Sequence, residues 1–148
     1  ETQVNELDAA INQLLQASPQ TARAVDIICS IPGLSKISAA ALLIEMAELG
    51  TMNKKQVASL AGLAPMTRQS GTWKGKCFIQ GGRKLLRDAL YMPALVASRY
   101  NPDLKAKYNA LIAAGKVKKL ALIAIMRKLI ILANALIRDN REWQKNRP

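Results

Sequence analysis

No histidine occurs anywhere in the 148 residues. That absence removes imidazole as general base, metal ligand or pH switch, and it excludes the commonest nucleophilic triads. Cysteine is scarce as well. The two present, Cys29 on an apolar helix face and Cys77 in a basic stretch, have neither the number nor the spacing of a disulfide framework or a zinc site. A reducing cytoplasm fits this usage. Nothing reads as a signal peptide. The apolar run from Leu120 to Ile137 is interrupted by Arg127 and Lys128, so a buried helix is expected there and not a membrane span. Residue 1 is not Met and a helical pattern is already under way at that point, so the chain is expected to be a piece of a longer protein.

Acidic residues are the other deficit, with 10 against 22 basic ones and a net charge of +12. The excess is one-sided. Residues 1–50 hold only Arg23 and Lys36 against six acids, whereas residues 51–148 carry nearly all of the cations. A field of this kind is the electrostatic footprint of a polyanion-binding protein, most simply one that binds nucleic acid; a solvated surface kept soluble by lysine is the plain alternative. The chain is 50% hydrophobic, enough for one sizeable core, so a single domain with an appended arm is expected.

The periodicity is helical almost throughout, and an all-α fold of about seven helices is predicted. Val4, Leu7, Ile11, Leu14 and Leu15 form a narrow stripe that suits a coiled-coil arm over residues 1–17, pairing with something outside the chain. The body, residues 18–148, opens with Ser18-Pro19, an N-cap followed by proline at the first helical position, and that helix runs to about Ser30. Ser35 can cap a helix over about Lys36 to Glu48, and Asn53 with Gln56 forms a capping box for a short helix that stops at Gly62. Residues 63–81 lack a helical period and read as a mostly irregular basic loop in which Trp73, Lys74-Gly75 and Phe78 allow a small hairpin. Further helices are expected over about Gly82 to Tyr100, kinked or broken near Pro93, from Asn101-Pro102 to Ala113, and from Val117 to Asp139.

Two constellations carry functional content. Ile31-Pro32-Gly33-Leu34-Ser35-Lys36, within about residues 24–48, resembles a helix-hairpin-helix, whose turn amides face a DNA phosphate. A helix N-terminus offers unpaired N–H groups to an anion, and Gly33 permits close backbone approach. Ser35 stands where a second glycine is usual, so its hydroxyl is a candidate contact, and Lys36 adds the only charge. A capped turn that merely packs the core is the alternative. The second constellation is Ser70-Gly71, set among Arg68, Lys74, Lys76, Arg83, Lys84 and Arg87 with no acid between them. A serine there is ordinarily a turn residue. As a nucleophile it needs an activator, and the cations can stabilise charge on phosphoryl oxygens. No nearby carboxylate or imidazole supplies the activation.

The ordered set Ile-Pro-Gly-Leu-Ser, Ala-Gly-Leu-Ala-Pro, Gln-Ser-Gly, Gly-Gly-Arg-Lys-Leu-Leu-Arg, Gly115-Lys116 and a terminal helix with Ala124 to Lys128 resembles the C-terminal domain of the transposases of insertion sequences 110, 116 and 902, relatives of the Piv-type DNA invertases. The resemblance covers about residues 24–138. It implies an upstream RuvC-like domain whose four acids hold divalent metal, Mg²⁺ being expected, with no cofactor in this chain. It implies Ser70 as nucleophile in DNA strand cleavage and exchange, and the first helix as the end of a coiled coil. Gly82 departs from the Gly-Asn common in the family. The expected partners are DNA, with a structured guide RNA as a further candidate, and a second copy through the N-terminal helix; no membrane is expected. A helix-hairpin-helix binding module without chemistry remains the alternative, and a ribosome-associated or RNA-binding protein a third.

Overall fold

The computed structural model describes the backbone of residues 2–63, 65–70, 73–79 and 83–145, and the side chains of these apart from residues 7, 14–17, 65–70 and 73–79. Among the described residues there are seven helices: α1 (Thr2–Ala17), α2 (Pro19–Ser30), α3 (Lys36–Glu45), α4 (Lys54–Leu60), α5 (Lys84–Tyr100), α6 (Pro102–Ala113) and α7 (Lys118–Arg138). One antiparallel hairpin, β1 (Pro65–Ser70) and β2 (Trp73–Ile79), stands between α4 and α5. The class is all-α. The segment expected to be mostly irregular is instead largely a two-stranded ladder.

Helix starts follow their capping chemistry. The Ser18 hydroxyl accepts from the Thr21 amide at 3.0 Å, with Pro19 at the first helical position. Asn53 and Gln56 close a reciprocal capping box at 2.9 and 3.1 Å. The Asn101 side chain caps α6 through the Asp103 and Leu104 amides. Helix α3 ends at Glu45, short of the expected Glu48. Met46 leaves helical geometry to bury its side chain completely. The chain then docks on α7, where Asn134 accepts the Gly50 amide at 2.7 Å and donates to the Met52 carbonyl at 2.7 Å.

Helix α7 is long and apolar enough to cross a membrane by length and composition, yet it threads the core. Leu122, Ile125, Leu129, Ile130, Ala133 and Leu136 are buried, while Lys128 is exposed. It packs against α5, α6, α2 and α4. Helix α1 packs on α2 and α3; its Ile11 is buried and its Val4 exposed.

Helix α5 runs unbroken through Pro93, so of the kink or break expected there the break does not occur. Proline removes one helical hydrogen bond, but Leu86, Leu90, Ala94 and Ala97 are all fully buried against α7 and α3, and that packing holds the two halves in one helix. Pro93 and Ala97 also meet the turn after α2. Gly33 has φ +113°, and a Cβ there would lie 2.8 Å from the Ala97 Cβ and 3.0 Å from the Pro93 carbonyl oxygen. Asn101, fully buried, donates from Nδ2 to the Pro32 carbonyl at 3.2 Å. The Pro32-Gly33 turn is therefore held against the junction of α5 and α6.

Gly33→Val should lower stability by at least about 2 kcal/mol, since it combines strained backbone with overpacking against α5. A urea denaturation series read by circular dichroism checks this, and a midpoint equal to wild type would remove the packing account.

Candidate nucleic-acid interface

The hairpin is mounted on the C-terminus of α4. That helix closes with a Schellman motif: Leu63 N–H donates to the Ala58 carbonyl at 2.9 Å and Gly62 N–H to the Ser59 carbonyl at 3.0 Å, with Gly62 at φ +71°. Leu63, fully buried, anchors the outgoing chain. On the return side, Arg83 N–H donates to the Leu60 carbonyl at 2.8 Å, and Arg87 reaches the Gly62 carbonyl at 3.5 Å. Both ends of the excursion thus meet at one helix end.

Within the ladder, Pro65 pairs with Ile79, Met66 with Phe78 and Thr67 with Cys77; after a shift, Gln69 pairs with Lys74 and Ser70 with Trp73. Arg68 consequently stands opposite two residues, Gly75 and Lys76, the count of a β-bulge. Ser70 is the last residue of β1 and Trp73 the first of β2, so Ser70 occupies the distal end of the hairpin. Gly71 lies outside the described residues, as do the side chains of Arg68, Ser70, Lys74 and Lys76. The hairpin thus brings Arg68, Ser70, Lys74 and Lys76 onto one antiparallel ladder.

The three cations at the start of α5 have different surroundings. Arg83 forms a two-pronged ion pair with Glu48, at 2.5 and 3.1 Å, and donates to the Glu45 carbonyl at 2.6 Å. The Arg83 hydrogen bonds hold the Glu48 carboxyl below its usual range, and Glu48 in turn raises Arg83. Lys84 pairs with Asp88 one turn along, at 2.7 Å, with both groups largely exposed. Arg87 faces the hairpin root through its contact with Gly62. Sequence proximity supplies Asp88 to Lys84, whereas the fold brings Glu48 to Arg83 from the acidic N-terminal third, a pairing that no local signal announces.

The turn after α2 packs against the helical body. The close approach that Gly33 permits is that of α5, and the Leu34 amide donates to the Ile31 carbonyl at 3.1 Å. The Ser35 hydroxyl caps α3, accepting from the Ser38 amide at 3.3 Å. Ser35 and Lys36 are exposed at the start of that helix.

Among the described residues, no three His, Cys, Asp or Glu side chains come together in a way that could hold a metal ion.

The chain belongs to the Transposase IS116/IS110/IS902 family, which matches residues 25–109. It is similar to the pilin gene-inverting protein of Moraxella bovis, 37% identical over 147 residues that cover 96% of this chain and 45% of that protein. The counterpart in Moraxella lacunata gives the same identity and coverage. The uncharacterized 43.6 kDa protein of insertion element IS110 from Streptomyces coelicolor is 32% identical over 145 residues, 96% of this chain and 35% of that protein. The chain therefore spans less than half the length of these relatives.

The depressed Glu48 carboxyl gives a signed pH expectation. Its stabilisation is fully present above the unfolded carboxyl value and is lost as pH falls through the lower folded one. Glu48→Gln should be less stable than wild type at neutral pH, with the gap closing on acidification below the usual carboxylate range. Thermal melts at a series of pH values check this, and a gap independent of pH would remove the ion pair as its cause.

Proposed function

We propose that this chain is the DNA-binding, nucleophile-bearing part of a transposase or site-specific recombinase of a mobile element, acting in the cytoplasm. The observation that carries the reading is the placement of Ser70 at the distal end of a basic hairpin in a member of this transposase family. Similarity to pilin gene-inverting proteins supports DNA as substrate.

In the proposed step the Ser70 Oγ bonds to the phosphorus of a phosphodiester. One bridging P–O bond breaks, and its electron pair leaves with the deoxyribose oxygen, which takes up a proton. The phosphoserine link conserves the ester energy. Attack by a deoxyribose hydroxyl of another strand then releases Ser70 and joins the new ends. Arg68, Lys74 and Lys76 are assigned to the phosphoryl oxygens, where fixed positive charge stabilises the developing negative charge. Arg87 is assigned to the flanking backbone. Ser35 and Lys36, exposed at the start of α3, add a second phosphate contact. Arg83 and Lys84 act less directly, because Glu48 and Asp88 already share their charge. The base that accepts the Ser70 proton is assigned to a RuvC-like domain of the longer protein, so this chain by itself should bind DNA and cut nothing.

Two outcomes test the reading. Affinity of the chain for duplex DNA should fall linearly in log–log form with salt, by at least about tenfold between roughly 50 and 200 mM; salt-independent binding would overturn the electrostatic interface. In the full-length protein, Ser70→Ala should abolish strand exchange and the covalent protein–DNA adduct seen on denaturing gels, with DNA binding near wild type. Arg68→Ala should slow exchange by roughly two to three orders of magnitude. Recombination by Ser70→Ala at the wild-type rate would leave a basic helical binding module without chemistry.

A further inference from the structure

A groove of about 930 Å³ lies between α5, α6 and α7, beside the hairpin root. Its lining includes Arg87, Tyr91 and Arg99 from α5, Tyr108 from α6, and Lys118 and Lys119 at the start of α7. Asp88 is the acid in the lining, and its carboxylate pairs with Lys84 at 2.7 Å, so the groove keeps a clear positive excess. Arg99, Lys118 and Lys119 are exposed, and Tyr91 is 49% exposed. The helix dipole of α7 adds to the two lysines at its N-terminal end.

Cations alone would suit any polyanion. What narrows the occupant is the pair of tyrosines in the same trough, over an apolar floor of Leu95, Leu122 and Met126. In a duplex the base faces are stacked on one another and hidden. A single strand exposes them, and aromatic side chains beside a cationic track bind such strands by stacking, with little regard to sequence. We propose that this groove binds single-stranded DNA, the strand freed beside the cut, leading it away from the hairpin between α5 and α7. The inference rests on the strand-exchange reading above for the source of the strand and extends it to a surface that the motif pattern never marked. Arg87 joins the two, since it lines the groove and touches the hairpin root at Gly62.

Fluorescence anisotropy with a labelled oligothymidylate, in parallel with a duplex of equal length and an oligouridylate, tests the proposal on the whole chain. Tyr91→Ala should weaken oligothymidylate binding about tenfold, within the range for loss of one base stack. Tyr91→Phe should bind as wild type. Arg99→Ala and Lys119→Ala should each reduce the slope of log affinity against log salt by about 0.7. Each of these positions is exposed, and an unchanged melting temperature certifies the fold. Wild-type affinity in Tyr91→Ala would overturn the groove as a stacking site. Equal losses on duplex would overturn the single-strand assignment, and tighter binding of oligouridylate would replace DNA with RNA. Retained recombination by Ser70→Ala removes the nucleophile reading alone, and unchanged affinity in Tyr91→Ala removes the groove alone.

Discussion

The arrangement of the body depends on one close approach, that of the Pro32-Gly33 turn to α5. A Cβ at Gly33 would overlap the Ala97 side chain, so the turn has no room for any side chain there. Asn101 ties the same turn to the start of α6, with its oxygen capping that helix and its amide group holding the Pro32 carbonyl. Through these two residues the turn fixes α2 and α3 relative to α5, and α5 packs against α7. The position of α3 in turn sets Glu48 where Arg83 can reach it. A packing constraint between residues more than sixty positions apart thus orients the segment that carries the hairpin.

Charge is distributed in keeping with this. The acids of the first third and the cations of the remainder meet at the Arg83–Glu48 pair, which joins the end of α3 to the beginning of α5. A partly exposed pair of this kind contributes little to stability by itself. Its main effect is positional, because it fixes the start of α5 and, with the Arg83 amide bonded to Leu60, the return of the hairpin. Cations elsewhere along the surface retain an unbalanced field, and that field is what a polyanion encounters first.

Much of the fold was legible because helix starts are local events. Ser18-Pro19, Asn53 with Gln56, and Asn101-Pro102 each announce a cap through residues within four positions of one another, and all three were placed correctly from sequence. Endings were less legible where tertiary contacts decide them. Met46 leaves α3 early to reach the core, and Gly50 is drawn onto Asn134 more than eighty residues away. Pro93 suggests a kink or a break by its local chemistry, and the buried face of α5 keeps the helix continuous. The same division applies to the site. Ser70 and its cations form a contiguous pattern and were visible at once. Glu48 beside Arg83, and the trough that gathers Tyr91, Tyr108 and the α7 lysines, depend on helices meeting in space. The turn at Gly33 is legible as a turn, whereas the close approach of α5 to it depends on residues more than sixty positions away.

The two ends of the hairpin converge on a single helix terminus, with the Leu60 carbonyl accepting from Arg83 at 2.8 Å and Leu63 seated in the core. Chain length between two adjoining anchor points is cheap to alter, since the entropy of closing a loop grows only slowly with its size. The segment is in effect a socketed tool, exchangeable without reworking the handle. A lineage can lengthen it, shorten it or replace its tip while the helices that grip it stay the same, so variation at the tip need not be accompanied by variation in what is folded.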